Sequence, residues 1–345
     1  MADEKNDLNV LFWNVKVAKE NSNNGQDSRS KRLKAESDRQ IESIIKALKE
    51  LDTQHKFDLI ILAECNNKDV RDRIETELFI TQSKQTKNSM QDKPSKVAIF
   101  HRLNSDMIDP TEEVLRGRYT LLPITMPKRR FLLTAVHLPA QYNTPHRVLK
   151  EMANKTKHEI FRYVSELEIP VDGIIVAGDF NMDPFDTGMV DNDSFDTTMD
   201  LASAVEVNTG EFDVFVGGKV FEMEDSSDCA VIEGTTVVVK RRKTQRFYNP
   251  SWSLHGGIEE DAAQGTYYKE SGANNNIKAH MLDQVVFTSN LNDYFDYNAF
   301  EIVTRYNETK EGSLIDKHKH PKSKSKKHAY SDHLPIRFRF SFEGI

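Results

Sequence analysis

The chain has 345 residues, of which 38% are hydrophobic and 29% charged, and its formal net charge is −7. This composition excludes a disordered chain, and no apolar run reaches the roughly 18 residues that a membrane-spanning helix needs. Two cysteines, Cys65 and Cys229, are too few for a disulfide framework, and the polar first residues carry no secretory signal, so we expect a cytoplasmic protein.

The negative charge is concentrated in one stretch. Between Asp183 and Asp228, thirteen acidic residues and one lysine give a balance of −12, so the remainder of a chain of net charge −7 carries +5. Basic runs stand at 128–130, at 240–243 and from Lys317 to Lys327. Such runs either contact phosphates or form solvated loops, and composition leaves both interpretations open.

Strands and helices are mixed along the chain. Continuous apolar runs are typical of strands buried on both faces, and they predict strands at 10–15, 59–63, 97–100, 119–124, 131–137 and 173–177. An apolar stripe at helical spacing predicts a helix over about 30–51. Thr144-Pro145 opens a second helix that runs to Leu167.

After residue 177 the acidic stretch has weak periodicity, which predicts loops with short elements. Further strands are predicted at 235–239, 282–288 and 334–342. Since the sequence contains no linker and no repeat, we predict one domain over residues 1–345, with an irregular acidic and aromatic insertion around 183–275. The mixture of elements favours an α+β or layered α/β fold.

Polar residues stand at the ends of several predicted strands. Asn14 lies in the first, Glu64 and His137 end two others, and Gly178-Asp179-Phe180-Asn181 follows the strand at 173–177. A folded core accepts such groups only with partners, so strand ends that meet would form an acidic pocket with amide and imidazole groups. That pocket suits a divalent cation and a phosphate ester. Each motif alone also fits a turn or an exposed strand-end charge.

Two further motifs lie near the C-terminal end of the chain. Ser331-Asp332-His333 places a carboxylate beside an imidazole, and Asp283 lies in the strand predicted at 282–288. A carboxylate that bonds the imidazole of His333 would fix its tautomer and raise its basicity. A core histidine with satisfied hydrogen bonds is the competing interpretation.

Together these motifs, in this order from Asn14 to His333, resemble the endonuclease/exonuclease/phosphatase superfamily with the deoxyribonuclease I-like fold. The resemblance implies a four-layer sandwich of two packed mixed β-sheets flanked by helices, and hydrolysis of phosphoester bonds with Mg²⁺ or Mn²⁺. It also implies roles for the motif residues: Asn14, Glu64 and Asp332 hold the metal; Asp179 and Asn181 position the water and the phosphate; His137 contacts the phosphate or assists the leaving group; and His333, oriented by Asp283, acts as base or stabilises the transition state.

The segment from Arg246 to Tyr268 is rich in aromatic residues, and we predict that Tyr248 and Trp252 stack on unpaired bases of the substrate. Lys324 and Lys326 of the last basic run are predicted to contact its phosphates. The competing interpretation is that the aromatic residues pack the segment onto the sheets. An Asn-Pro-x-Trp motif followed by Gly-Thr-Tyr looks like uncharacterised bacterial members of the family, which names no substrate.

These observations predict a metal-dependent phosphodiesterase, with a nuclease acting on DNA or RNA by in-line attack of water as the preferred interpretation. A phosphatase or phosphodiesterase for a small or lipid phosphate is the alternative, and a catalytically silent binding domain is the third. The basic run 317–327 immediately precedes Ser331-Asp332-His333, and we therefore expect a nucleic acid as substrate and partner.

Overall fold

The computed structural model describes the chain in segments. The described residues are 6–17, 28–83, 96–108, 113–115, 117–140, 144–205, 212–216, 219–223, 229–232, 235–238, 246–256, 262–269, 278–309, 312–316, 318, 320–322 and 330–342.

Strands and helices are numbered in chain order. The strands are β1 (Asp7–Val17), β2 (Leu59–Cys65), β3 (Thr81–Gln82), β4 (Val97–His101), β5 (Val114–Leu115), β6 (Tyr119–Met126), β7 (Arg129–His137), β8 (Gly173–Asp179), β9 (Thr197–Thr198), β10 (Phe212–Val216), β11 (Lys219–Met223), β12 (Cys229–Ile232), β13 (Thr235–Val238), β14 (Phe247–Tyr248), β15 (Tyr267–Tyr268), β16 (Ala279–His280), β17 (Asp283–Thr288), β18 (Glu301–Ile302) and β19 (Ile336–Ser341). The α-helices are α1 (Ser28–His55), α2 (Lys68–Leu78), α3 (His146–Glu166), α4 (Thr187–Val190) and α5 (Leu201–Val205). Short 3₁₀ helices are formed by Pro250–Leu254, Ser289–Tyr294 and Tyr297–Ala299.

Two mixed β-sheets form the centre of the fold. The first has six strands in the order β18-β19-β1-β2-β4-β3, and the second has seven in the order β5-β6-β7-β8-β17-β14-β9. Strand β1 runs parallel to β2, and β7 runs parallel to β8. Strands β19 and β17 run antiparallel to β1 and β8. The acidic stretch contributes one edge strand, β9, to the second sheet.

Burial on both faces explains the apolar runs that predicted the strands. Along β1, Val10 and Phe12 belong to the core between the sheets, whereas Leu11 and Trp13 belong to the core beneath α1 and α2. Helix α3 covers the outer face of the second sheet. The four-layer arrangement that the resemblance implied is therefore confirmed. Within the described residues, no helix is both long and apolar enough to cross a lipid bilayer.

Helix α2 is absent from the sequence prediction, although its signals are local. Asn67 caps it by accepting hydrogen bonds from the backbone N–H groups of Asp69 and Val70. Val70, Ile74 and Leu78 recur at intervals of four and are buried against the first sheet. The apolar stripe is only three residues long, and the charged residues around it conceal the helical period.

The parallel pairing of β7 and β8 depends on Gly178. Its φ is +157°, and a Cβ built on it would lie 2.0 Å from the backbone oxygen of Val136 in β7. No side chain fits there unless the neighbouring strand moves. Glycine thus lets the two strands approach closely just where His137 and Asp179 stand opposite each other.

We expect Gly178→Ala to lower the free energy of unfolding by about 3 kcal/mol or more, because overpacking costs about 1–3 kcal/mol even against side chains that can move. Gly256→Ala is the matched control. Gly256 also has a positive φ, +76°, but its added Cβ meets nothing within 4 Å, so only backbone strain of about 1–2 kcal/mol applies. Denaturant unfolding followed by circular dichroism measures both variants. Equal losses would contradict a steric role for Gly178.

Candidate active site

Strand ends from both sheets meet at one end of the sandwich. His137 and Asp179 end the parallel strands β7 and β8 and stand in register, and Asp283, the first residue of β17, is in register with Asp179 on its other side. In the first sheet, Asn14 lies in β1 and Glu64 in the parallel strand β2. A hydrogen bond of 2.8 Å from Asn14 Nδ2 to Asp179 Oδ2 joins the two sheets at this point.

Asn14, Glu64 and Asp179 form an acidic centre, with His137 against it. Asn14 Nδ2 lies 3.3 Å from Glu64 Oε1, and His137 Nε2 lies 3.4 Å from the same oxygen and 3.7 Å from Asp179 Oδ2. The hydrogen bond from His137 lowers the pKa of Glu64 to about 2, against the opposing effect of its partial burial. Burial raises the pKa of Asp179. Glu64 is thus a fixed anion, whereas Asp179 takes up a proton more readily.

Two of the motif residues at the site are held in a strained backbone conformation. Glu64 and Asn181 have φ values of +53° and +52°, in the left-handed region that residues with a Cβ rarely adopt. The N–H of Asn181 donates to Asp179 Oδ1 and its Nδ2 donates to the carbonyl of Leu138, both at 2.9 Å. Such strain persists where surrounding contacts over-determine the conformation, and it clusters at functional sites.

His333 and Asp283 form a buried imidazole–carboxylate pair in which His333 Nδ1 and Asp283 Oδ2 are 2.8 Å apart. Trp13 Nε1 donates to the His333 carbonyl at 2.9 Å, and the N–H of His333 donates to Ser331 Oγ at 3.1 Å. Burial lowers the pKa of His333, but the charges of Asp283 and Asp179 together outweigh it and raise the pKa to about 10. His333 is therefore an imidazolium at neutral pH, with Nδ1 committed to Asp283.

The donor set fits a hard divalent cation on the Glu64 side of the site. Ligand atoms of Asp179, Asp283 and His333 lie within 4.8 Å of one another, but there the imidazolium already supplies the positive charge. Glu64 is ionised, partly exposed and adjacent to the amide of Asn14. Since Mg²⁺ favours few carboxylates and several waters, Glu64 and Asn14, with Asp179 behind them, are the residues that would hold it.

Asp332, the third predicted metal ligand, does not contact the acidic centre in the structure. Its Oδ2 pairs with Lys16 Nζ at 2.5 Å, and Lys16 lies in the cavity wall. The other oxygen, Oδ1, is buried without a hydrogen-bond partner in the described part of the chain. The role of Asp332 as a metal ligand stays a prediction.

Two of the four predicted substrate contacts, Tyr248 and Trp252, lie in the described part of the chain, and neither lines the cavity described below. Tyr248 is buried in the core between the sheets, because β14 pairs with β17 and its ring packs edge-on against Phe287, so the predicted stacking on a base is wrong. Trp252 is 44% exposed on a 3₁₀ helix but does not line the cavity that the described residues form. Lys324 and Lys326 lie outside the described residues, and their phosphate contacts stay predictions.

The acidic centre opens into a cavity of about 440 Å³. Its wall also contains Tyr267 of the Gly-Thr-Tyr motif and five side chains that the sequence patterns do not single out: Lys16, Lys96, Arg118, Lys269 and His280. The Arg118 carbonyl accepts the N–H of His137 at 2.8 Å. Arg118 directly precedes β6, the strand that pairs with β7, and this position is its one signal in the sequence. An acidic centre with a basic wall can bind a cation and an anionic ester together.

Comparison with known proteins identifies the fold. No protein-family model matches the chain, and neither does any curated protein. An endonuclease/exonuclease/phosphatase family protein from Bacteroides thetaiotaomicron superposes with a TM-score of 0.51 at 14% identity, over 98% of this chain and 95% of that one. ANGEL2, a 2′,3′-cyclic phosphatase in complex with adenosine-2′,3′-vanadate, superposes with a TM-score of 0.51 at 14% identity, over 98% of this chain and 97% of that one. D. rerio TDP2 complexed with single-strand DNA product superposes with a TM-score of 0.47 at 13% identity, over 98% of this chain and 100% of that one.

The His333–Asp283 pair predicts a pH dependence of stability in the metal-free protein. Folding raises the pKa of His333 from 6.5 to about 10, so its contribution is fully present below pH 6.5 and is lost as the pH rises through about 10. In chelator, we expect the free energy of unfolding to fall over this window, and His333→Asn to lose that slope. His158→Asn, an exposed position on α3, is the control. Equal slopes in wild type and His333→Asn would contradict the pairing.

Proposed function

We propose that this chain, which has the fold of the endonuclease/exonuclease/phosphatase proteins, is a metal-dependent phosphodiesterase that hydrolyses nucleic acid by in-line attack of water. One observation carries the proposal: the Asn14–Asp179 contact and the His333–Asp283 pair lie at the same cavity, beside an ionised Glu64. Carboxylates that suit a hard cation, together with fixed positive groups, are what phosphoryl transfer requires.

Asp179 is the residue that we assign to the attacking water. Its two oxygens are held by Asn14 Nδ2 and by the N–H of Asn181, and burial raises its pKa toward the range of an effective base. His333, the other candidate, already carries a proton and commits Nδ1 to Asp283. Asp179 would therefore orient the water and accept its proton.

His333 and Arg118 are the groups that would stabilise negative charge in the transition state. The imidazolium of His333 is fixed by Asp283 before substrate binds, so it needs no reorganisation during the reaction. The guanidinium fork of Arg118 in the cavity wall matches the geometry of two phosphate oxygens. His137, beside both carboxylates of the acidic centre, would contact the phosphate or assist the leaving group.

Glu64 and Asn14 are the residues that would hold Mg²⁺ or Mn²⁺, Asn14 through its amide oxygen because its Nδ2 donates to the carboxylates. His137 keeps Glu64 ionised, and the amide of Asn14 bridges Glu64 and Asp179, so both carboxylates are oriented before any ion binds. When bound, the ion supplies positive charge that neutralises the phosphoryl oxygens and the leaving group.

The basic side chains at the cavity favour a polyanionic substrate. Four of them line its wall: Lys16, Lys96, Arg118 and Lys269. The ring of Tyr268 also stacks on that of His320 with centroids 3.4 Å apart. His320 belongs to the basic run 317–327, so part of this run is anchored next to the strand that carries Tyr267 into the cavity wall. A nucleic acid offers one phosphate per nucleotide to such a surface.

A hydrolase for a small phosphate ester is the second candidate. The cavity volume of about 440 Å³ is sufficient for a ligand the size of one nucleotide. ANGEL2, which shares the fold, is a 2′,3′-cyclic phosphatase. The acidic stretch 183–228 also follows Asn181 directly in the sequence and would repel a long polyanion. A silent binding domain is the third candidate, and it predicts no turnover on any ester.

We expect Mn²⁺ to bind the wild-type protein in isothermal titration calorimetry, and Glu64→Gln to weaken the binding by more than about tenfold, since even residues that only orient metal ligands contribute that much. Asp179→Asn should abolish turnover. Glu151→Gln, at an exposed position on α3, is the control for both measurements. Turnover that persists in chelator, or equal Mn²⁺ affinity in Glu64→Gln and wild type, would contradict the proposed metal site.

A substrate panel tests the class of ester. Supercoiled plasmid, linear duplex, single-stranded DNA, RNA, 2′,3′-cyclic AMP and a phosphomonoester are each incubated with Mn²⁺ or chelator. We expect cleavage of DNA or RNA, at a rate that falls steeply between about 50 and about 200 mM salt, because counterion release contributes to binding. Cleavage of the monoester or the cyclic nucleotide alone, with little effect of salt, would replace the nuclease by the second candidate.

A further inference from the structure

A second imidazole–carboxylate pair lies in the wall of the same cavity. His280 Nδ1 lies 2.7 Å from Asp183 Oδ2, and Asp183 Oδ1 accepts the N–H of Met281 at 2.7 Å. The side chains of His280 and Asp183 are only 15% and 8% exposed, and His280 lines the cavity. Neither residue belongs to the motifs that carry the family resemblance, and the proposed chemistry uses neither.

Asp183 determines which nitrogen of His280 is available. Since Nδ1 is bonded to the carboxylate, Nε2 is the remaining nitrogen, and it has no hydrogen-bond partner among the described residues. A carboxylate on one ring nitrogen fixes the orientation of the imidazole. When both ring nitrogens carry a proton, the Nε2–H group can donate to an anionic oxygen in the cavity.

Tyr267 separates His280 from the reacting centre by one aromatic ring. Tyr267 and His280 stand directly opposite each other in the β15–β16 ladder. The ring centroid of Tyr267 lies 4.9 Å from that of His333 and 6.5 Å from that of His280. Lys269, two residues beyond Tyr267 on the same face of the chain, also lines the cavity. This face therefore presents an imidazole and an ammonium group beyond the reacting centre.

We propose that His280, held by Asp183, binds an anionic oxygen of the phosphodiester next to the one that is hydrolysed. The inference rests on the proposed function and adds a specificity-determining residue to it. Positive charge from Lys269 and the N–H of His280 would together select a substrate that carries a second phosphate beside the one at the reacting centre. An ester with a single phosphate offers His280 no second anionic oxygen.

The test removes the charge from the substrate and the imidazole from the protein. Short single-stranded oligonucleotides carry either a phosphodiester or an uncharged methylphosphonate next to the cleaved bond. For the wild type, we expect a methylphosphonate on one side of the cleaved bond to lower kcat/KM about tenfold, which is the ratio expected for the loss of one charge-assisted hydrogen bond. In His280→Ala the same replacement should have almost no effect, whereas His158→Ala should keep the full penalty.

Two further variants separate a contact with substrate from a structural role. Asp183→Asn keeps an acceptor for the N–H of Met281 but removes the charge that holds His280, so the methylphosphonate penalty should shrink. His280→Gln restores a neutral donor and should recover part of the penalty. Fluorescence anisotropy of fluorescein-labelled oligonucleotides in chelator repeats the comparison without turnover.

The outcomes distinguish this inference from the proposed function. If the wild type cleaves the oligonucleotide and the penalty is the same in wild type, His280→Ala and His280→Gln, the role of His280 is wrong and the proposed function stands. If the wild type cleaves no phosphodiester in Mn²⁺, both are wrong. If it cleaves only 2′,3′-cyclic AMP, the nuclease and the role of His280 are overturned while a phosphoester hydrolase remains.

Discussion

The hydrogen bond between Asn14 and Asp179 is the contact on which the site depends, because it connects the two sheets where their strand ends meet. The core between the sheets is apolar, and apolar packing tolerates small shifts that a buried hydrogen bond does not. Both side chains are almost fully buried, so an offset between the sheets would leave an amide and a carboxylate without partners. The bond thus fixes the distance between Glu64 in one sheet and His137 in the other.

Charges of opposite sign meet around this contact. Glu64 and Asp179 lie at the contact, and the imidazolium of His333 lies beside Asp179 with its own carboxylate, Asp283. The two carboxyls of the acidic centre have pKa values displaced in opposite directions, because His137 stabilises the charge of Glu64 while burial disfavours that of Asp179. One fold therefore provides both an anion for a cation and an acceptor for a proton.

The fold and the central residues were predictable because their signals are local. Glu64 and Asp179 each follow an uninterrupted apolar run, and strands of this kind end at the same edge of a buried parallel sheet. The order of the motifs then carried the family resemblance, which implied the four layers. Asn14 was predictable for the same reason, since an amide within a buried strand requires a partner.

The residues that the sequence could not identify depend on distance in space. His280 and Asp183 are 97 positions apart, and no motif links them. Arg118 carries no signal beyond its place before a strand. The prediction for Tyr248 was wrong because it was based on aromatic composition, which suggests a surface for stacking. A two-residue strand shows no alternation that would indicate which of its faces is buried.

The first long strand and the last are neighbours, and Trp13 donates across 320 positions to the carbonyl of His333. During synthesis, β1 leaves the ribosome long before β19 exists, and it keeps an unpaired edge until β19 has been made. The imidazolium of His333 joins the acidic centre only when β19 has paired with this edge of β1. A nascent polypeptide therefore holds its carboxylates without their cationic counterpart until β19 has paired with β1.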